Sequence, residues 1–197
     1  MISHLEHLCI ITGGPGAGKT SLLHALQEEG HGIKEEVGRA IIRQQMASEG
    51  RALPWKDKLA FAQAMLAAEA AHCRAHAVRA KHSIEGIVFC DRGIPDILGY
   101  MRLEGLESLP QAAALLALAR HAAKAWRYSR RAFILPPWKE IYETDRERKQ
   151  SWEEAVATYD VMCEIYEELG YRLVEVPAGK LAQRRDFIMR SVGAGPQ

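Results

Sequence analysis

The chain has 197 residues, of which 48% are hydrophobic and 26% charged, and its formal net charge is +1. These values are typical of one soluble globular domain and exclude a strongly basic protein whose overall field would attract nucleic acid. Four widely separated cysteines without a C-x-x-C pair exclude a zinc finger and are typical of the reducing cytoplasm, where we expect this protein.

Short apolar runs bounded by turn residues alternate along the chain with segments of helical spacing. In chain order, strands are predicted at 8–11, 31–37, 86–90, 131–135 and 171–177. Helices are predicted at 19–30, 38–50, 54–81, 94–104, 110–127 and 151–170, and from about 180 onward. The run richest in alanine and leucine, 112–119, is too short to span a bilayer, so we predict no membrane span.

Helix boundaries follow from residues with known end preferences. Gly30 is a natural C-terminal cap for the first helix. Pro54 predicts the start of the long third helix and Asp57 its first turn. Ser151 and Glu154 have the spacing of a capping box, which predicts that a helix begins there.

The order of these elements predicts the fold class. Strands that are continuously apolar and alternate with helices form a parallel sheet covered on both faces. We therefore predict a three-layer α/β fold with a five-stranded parallel sheet, formed by residues 1–197 as one nucleotide-binding domain. Ligand sites in such folds lie at the carboxyl ends of the strands.

A G-x-x-x-x-G-K-T motif connects the first strand to the first helix, which is the context of a P-loop. Glycines let successive backbone N–H groups point inward at the helix N-terminus, where they bind phosphate. Lys19 reaches the β- and γ-phosphates, and the Thr20 hydroxyl binds Mg²⁺. The predicted phosphate-binding residues are Gly13, Gly14, Pro15, Gly16, Ala17, Gly18, Lys19, Thr20 and Ser21.

Asp91 ends the apolar strand at 86–90. In a parallel sheet the ends of the first and third strands meet, so we expect Asp91 to lie beside the phosphates. There it holds Mg²⁺ together with Thr20, or accepts a proton from an attacking hydroxyl. The alternative is an aspartate that caps the following turn. Lys19 and Asp91 are thus the catalytic candidates from the residues alone.

Longer segments resemble one family. ITGGPGAGKTSLL, EEVGRAIIRQQ, FCDRGIPDILGY, PPWKEIYETDRERKQSWEEA and YRLVEVP, in this order, resemble the NadR-like family of P-loop AAA-type ATPase domains. The resemblance implies a small-molecule kinase or ATPase that uses ATP, or GTP as the alternative, with Mg²⁺. One branch of the family resembles a ribosylnicotinamide kinase module, and another a lipid-binding GTP-dependent trafficking protein.

The resemblance also implies residues that bind the phosphate acceptor. These are Glu36, Arg39, Arg92 and Asp96. A carboxylate at this place binds an acceptor hydroxyl, and an arginine binds an anion. Glu35 is an equal alternative to Glu36, because the register at the strand end is not fixed. The structural alternatives are helix-dipole contacts for Glu36, a salt bridge for Arg92 and a first-turn position for Asp96.

The segment at about 137–152 is similar to the lid that closes over the phosphates in this class. Its cations are Arg146, Arg148 and Lys149, of which Arg148 is the catalytic candidate and the other two bind nucleotide. The alternative is a solvated helix start whose alternating charges pair with one another.

Weaker patterns suggest other partners. Basic residues spaced like a helical stripe, with no acidic residue from 120 to 131, would suit an anionic substrate, a phospholipid head group or nucleic acid, and a solvated helix face is the alternative; they are Arg120, Lys124, Arg127 and Arg131. His72, Cys73 and His76 lie on one predicted helix with a spacing that can hold zinc, although no glutamate follows His72 as in the metalloprotease pattern. The leading prediction is a P-loop kinase or ATPase acting on a small hydroxylated metabolite. The other is a nucleotide-controlled binding module with an anionic lipid or protein partner and little turnover.

Overall fold

The computed structural model describes residues 3–79, 86–139 and 151–193. The strands in chain order are β1 (Ser3–Leu5), β2 (Leu8–Gly13), β3 (Gly32–Lys34), β4 (Val88–Asp91), β5 (Trp126–Tyr128), β6 (Arg131–Leu135) and β7 (Arg172–Glu175). The α-helices are α1 (Lys19–Glu28), α2 (Val37–Ala47), α3 (Lys58–Arg79), α4 (Ile94–Leu103), α5 (Ala113–Ala125), α6 (Trp152–Glu168) and α7 (Leu181–Gly193).

Five parallel strands form the central sheet in the order β3-β4-β2-β6-β7. Strand β2 therefore lies at the centre, with Ile11 opposite Asp91 of β4 on one side and Phe133 of β6 on the other. This confirms the predicted five-stranded parallel sheet. It also brings the end of β2, where the P-loop begins, next to the end of β4.

Helices cover both faces of the sheet, which explains why its strands are continuously apolar. Successive residues of β2 point to opposite sides: Ile10 packs into a core with helices α2 to α6, and Ile11 into a core with α1 and α7. Leu22 and Leu26 of α1 fill the second core and are fully buried there. The three-layer α/β prediction is thus confirmed.

Two boundaries differ from the prediction. Helix α5 ends at Ala125, and the next residues form β5, which pairs in parallel with β1 as a separate two-stranded sheet. Helix α3 begins at Lys58 rather than at Pro54. Asp57 lies just before it, where its Oδ1 accepts a hydrogen bond from the Ala60 amide at 2.9 Å. Asp57 is therefore the helix cap rather than a first-turn residue.

Within the ranges that the structure describes, we find no helix that combines the length and the apolar character needed to cross a membrane.

Candidate active site

The P-loop packs closely against its neighbours at two positions where a side chain would have no room. At Gly13, with φ of +130°, an added Cβ would lie 2.5 Å from the Leu135 carbonyl oxygen. At Gly14 it would lie 2.7 Å from the Ala155 carbonyl oxygen. Only glycine lets the loop approach β6 and α6 this closely. The loop then leads into α1, where Thr20 and Ser21 are exposed at the helix N-terminus.

Lys19 is the first residue of α1, and its side chain turns back to the P-loop. Its ammonium donates hydrogen bonds to the carbonyl oxygens of Gly13 at 2.8 Å and Gly14 at 2.7 Å, and the side chain is buried. Burial, together with the positive charge of Arg92, lowers the pKa of Lys19 to about 7. The loop therefore surrounds a lysine whose charged form gains from meeting an anion.

Asp91 lies across from the P-loop strand at the end of β4. Its Oδ1 is buried and has no hydrogen-bond partner within the described part of the chain. Burial raises the pKa of Asp91, an effect that the nearby cations Lys19 and Arg92 partly oppose. A buried carboxylate oxygen left without a donor is a ready ligand for a cation.

Arg92 follows in a left-handed conformation, with φ of +67°. This conformation costs a non-glycine residue about 1–2 kcal/mol. Its Nε lies 3.4 Å from Oε1 of Glu36, and its Nη1 lies 3.4 Å from Oδ1 of Asp96. The strained turn thus directs the guanidinium to the place where β3 leads into α2.

Glu36 is the N-cap residue of α2, and its Oε2 lies 3.4 Å from Nε of the exposed Arg39. Burial favours the neutral acid, but the positive charges of Arg92 and Lys19 outweigh it, and the pKa of Glu36 is lowered. Glu35, the sequence alternative, is exposed. The structure therefore brings Glu36, rather than Glu35, to Arg92.

Asp96 is buried beneath this group, and internal donors occupy both of its carboxylate oxygens. Oδ1 accepts a short hydrogen bond from Thr12, and Oδ2 accepts from the Gly93 amide at 2.9 Å and the Tyr166 hydroxyl at 2.7 Å. These contacts correspond to the helix-start alternative: Asp96 caps α4 and supports Arg92.

Two basic residues that the sequence analysis did not single out also contribute to the site. Arg184 of α7 donates from Nη2 to the Ala17 carbonyl oxygen at 2.9 Å, and its guanidinium lies 5.7 Å from the centre of the Trp138 ring. Lys34 of β3 forms a buried ion pair with Glu69 and also contacts the turn at Arg92. Neither residue belongs to a motif, so no local sequence signal identifies them.

The other predicted residues lie outside the described residues or away from the site. The lid cations Arg146, Arg148 and Lys149 fall outside the described ranges. The basic stripe is wrong as a helical feature, because two of its four members, Arg127 and Arg131, lie in strands β5 and β6.

The pair His72 and His76 belongs to α3. Across the described ranges, these histidines join no group of three or more side chains that could hold a metal ion.

Residues 8–184 match the sequence model of an AAA domain family, and this range is most of the chain. No curated protein sequence matches the chain. Among solved structures, the chain is similar to NadR protein in complex with NR, with a TM-score of 0.71 and 18% identity. The similarity covers 98% of this chain and 53% of the NadR chain, so this chain spans about half of that protein.

Two further solved structures are kinases of similar length. Deoxyadenosine kinase from M. mycoides, with the products dCMP and a flexible dCDP bound, has a TM-score of 0.67 and 16% identity over 95% of this chain and 99% of that chain. Thymidylate kinase from Candida albicans has a TM-score of 0.63 and 13% identity over 96% and 92%. At these identities the similarity establishes the fold.

Proposed function

The chain belongs to an AAA domain family and has the fold of NadR-like P-loop kinases, and from this premise we propose that it is a Mg²⁺-dependent small-molecule kinase. In this proposal it transfers the γ-phosphoryl group of ATP to a hydroxyl group of a nucleoside-like acceptor. The observation that carries the proposal is the ionised Glu36, paired with Arg92, beside Lys19 and Asp91 at the carboxyl ends of adjacent strands.

The residues present suit a magnesium ion. Asp91 offers a buried oxygen without a donor, and Thr20 is exposed at the start of α1. Oxygen ligands of these two kinds are what Mg²⁺ prefers. Held by Asp91 and Thr20, Mg²⁺ would neutralise negative charge that develops on the phosphates during the transfer.

In the proposed transfer, the P-loop and Lys19 bind the phosphates and Glu36 acts on the acceptor. Backbone amides of the P-loop bind the β- and γ-phosphates, and Lys19 exchanges its loop carbonyls for phosphate oxygens. Glu36 accepts a hydrogen bond from the acceptor hydroxyl and takes its proton as the oxygen attacks the γ-phosphorus. The new oxygen–phosphorus bond forms while the bond to the β,γ-bridging oxygen breaks, and ADP leaves with that electron pair.

Positive side chains from Arg92, Arg39 and the lid balance the negative charges of Glu36, the acceptor and the transferring phosphoryl group. Arg92 keeps Glu36 ionised and oriented, and Arg39, at the same helix start, reaches an anionic part of the acceptor. We assign Arg148, with Arg146 and Lys149 beside it, to the transferring phosphoryl group from the lid segment at 137–152. Asp96 supports Arg92 from beneath, in place of a direct acceptor contact.

The acceptor class follows from what similar folds bind. The deoxyadenosine kinase structure holds dCMP and dCDP, and the NadR structure holds NR. Both suggest an acceptor that carries a sugar hydroxyl, so we propose a nucleoside or ribosylnicotinamide-like molecule. ATP is the proposed donor, because the chain has no N-K-x-D element of the kind that selects GTP. The lipid- or protein-binding alternative depended on the basic stripe together with the lid, and such partners are not supported.

A nucleotide-binding experiment tests the first step. Thermal shift with ATP or GTP and Mg²⁺ is expected to stabilise the protein, by about 2.7 kcal/mol at a ligand concentration 100 times the dissociation constant. Lys19→Ala is expected to abolish the shift. A shift that survives in Lys19→Ala contradicts the proposal.

A turnover experiment tests the second step. ADP formation is measured against a panel that includes ribosylnicotinamide, deoxyadenosine and thymidine, and the phosphorylated product is identified by mass spectrometry. Glu36→Gln is expected to lower kcat by at least about 100-fold, which is the usual contribution of a general base. The exposed neighbour Glu35→Gln is the matched control and is expected to keep its activity. Equal losses in the two variants would rule out Glu36 as the base.

A further inference from the structure

Arg92 has a left-handed backbone conformation, which its neighbours must hold in place. Among the residues that the structure describes, Arg92 and Glu49 are the two non-glycine residues with positive φ. Glu49 lies in an exposed turn after α2, whereas Arg92 joins β4 to α4 at the centre of the site. Strained conformations of this kind persist only where neighbouring groups hold them.

Among the hydrogen bonds at this turn, three are made by the Arg92 amide, the Gly93 amide and the Arg92 carbonyl, and the Ile94 amide also donates to the Tyr128 hydroxyl at 3.4 Å. The Arg92 amide donates to the Ile11 carbonyl oxygen at 3.1 Å, and the Gly93 amide donates to Asp96 at 2.9 Å. Both are made by backbone amides and do not depend on the side chain at position 92. The third comes from a distant side chain: Nζ of Lys34 donates to the Arg92 carbonyl oxygen at 3.0 Å.

Lys34 is itself fixed in place. Its side chain is 4% exposed and forms an ion pair with Glu69, which is 1% exposed. Glu69 also accepts a hydrogen bond from the Tyr128 hydroxyl at 3.3 Å. Burial opposes the charge on Lys34, but the Glu69 carboxylate outweighs it, so the pKa of Lys34 is raised and the ammonium stays protonated as a donor.

The line of contacts therefore runs from α3 to the proposed base. Glu69 holds Lys34, Lys34 holds the Arg92 carbonyl, and the Arg92 guanidinium lies against Glu36. Rotation of the Arg92 peptide out of its left-handed conformation would move the guanidinium away from Glu36. None of these links requires Lys34 to touch a substrate.

We propose that Lys34, fixed by its buried ion pair with Glu69, is a positioning residue for phosphoryl transfer, because it holds the Arg92 peptide in the conformation that places the guanidinium against Glu36. The inference rests on the proposed function, since it assigns a role in that reaction. A purely structural role would instead be confined to joining β3 to α3, and would affect stability alone.

The test removes both charges together, because removing one would leave the other buried without a partner. Lys34→Met/Glu69→Met replaces the ion pair with apolar side chains of similar length and withdraws the donor from Arg92. Tyr128→Phe is the control: it removes the hydrogen bonds of this hydroxyl with Glu69, Cys73 and the Ile94 amide, and leaves the Lys34 contact with Arg92 in place. If the methionine pair does not fold, Lys34→Gln/Glu69→Gln keeps a polar pair but shortens the side chain that reaches Arg92.

Two measurements separate this proposal from the proposed function. The first is the NMR signal of the Arg92 Nε–H group in protein labelled with ¹⁵N-arginine, assigned by its loss in Arg92→Lys. The second is turnover of ATP with the acceptor found in the panel, together with the dissociation constant of ATP. The first needs no acceptor and therefore reports on positioning alone.

The double variant is expected to shift the Arg92 Nε–H signal toward that of solvent-exposed arginines and to lower kcat at least tenfold. The dissociation constant of ATP is expected to stay within about twofold, because the P-loop is not touched. An Arg92 signal identical to wild type overturns the proposal, and so does a shifted signal with unchanged kcat. If no acceptor is turned over, the proposed function fails. The NMR result still stands by itself: a shifted Arg92 signal supports the positioning of Arg92 by Lys34, and an unshifted signal refutes it.

Discussion

Nucleotide binding is expected to take up a proton at Lys19. Burial and the neighbouring Arg92 lower the pKa of Lys19 to about 7, and within the described ranges its ammonium donates to the carbonyls of Gly13 and Gly14. A bound polyphosphate replaces these weak partners with full negative charges and raises the pKa again. Lys19 must therefore be protonated when the nucleotide binds, and the affinity for nucleotide should fall as the pH rises above 7.

The size of the effect follows from the pKa in the nucleotide-free state. At pH 8 about 0.9 of the molecules carry a neutral Lys19, so each binding event takes up about 0.9 proton. Between pH 7.5 and pH 9 the growing neutral fraction should weaken the affinity for nucleotide about 25-fold, which is about 1.9 kcal/mol. In this range the phosphates of the nucleotide are already ionised and contribute little.

Isothermal titration calorimetry of ADP with Mg²⁺ measures both quantities. Titrations at one pH in buffers of different ionisation enthalpy give the number of protons taken up, and titrations across pH give the affinity. Lys19→Met is the control and should bind weakly, with no proton uptake and no dependence on pH above 7.

A wild-type protein that binds ADP with constant affinity from pH 7.5 to pH 9 and takes up no proton would refute this reasoning. Lys19 would then be charged before the nucleotide arrives, in spite of its burial.

Three further changes probe the supports of the site. Gly14→Ala places a Cβ 2.7 Å from a backbone oxygen of α6 and should cost about 1–3 kcal/mol, seen as a lower Tm, whereas Gly86→Ala meets no atom within 4 Å and should not. Arg184→Met should weaken ATP binding about tenfold in a titration, because the Ala17 carbonyl loses its charged donor. Asp91→Asn should raise Tm at neutral pH while abolishing turnover, because burial raises the pKa of this carboxyl and its charge therefore opposes folding above that pKa. A lower Tm for Asp91→Asn would contradict this last expectation.

Local sequence patterns predicted the elements and the P-loop. Glycine spacing predicts a curled backbone wherever it stands between a strand and a helix, and the glycines at 13 and 14 indeed lie where a side chain has no room. Continuous apolar strands predicted a sheet with two covered faces, and Asp91 was located from its place at a strand end. These inferences depend on residues that are close together in the sequence, and none of them required a contact between distant parts of the chain.

Patterns near element ends were less reliable. Pro54 and Asp57 were both predicted within α3, yet α3 starts at Lys58 because the Asp57 side chain caps it. Residues 126 and 127 were predicted at the end of the fifth helix, yet residues 126–128 form β5, since β1 offers them a strand partner. In each case an alternative partner for the backbone outweighed helical propensity.

What the sequence by itself determined is the phosphate-binding loop and the layered sheet, because backbone conformation there follows from glycine and from the spacing of apolar residues. The tertiary structure decided which carboxylate faces Arg92, and that Lys34 pairs with a glutamate 35 positions away and Arg184 with a carbonyl 167 positions away. The physical reason is that charged side chains are buried only where packing supplies a partner, and packing brings together residues that no local pattern connects.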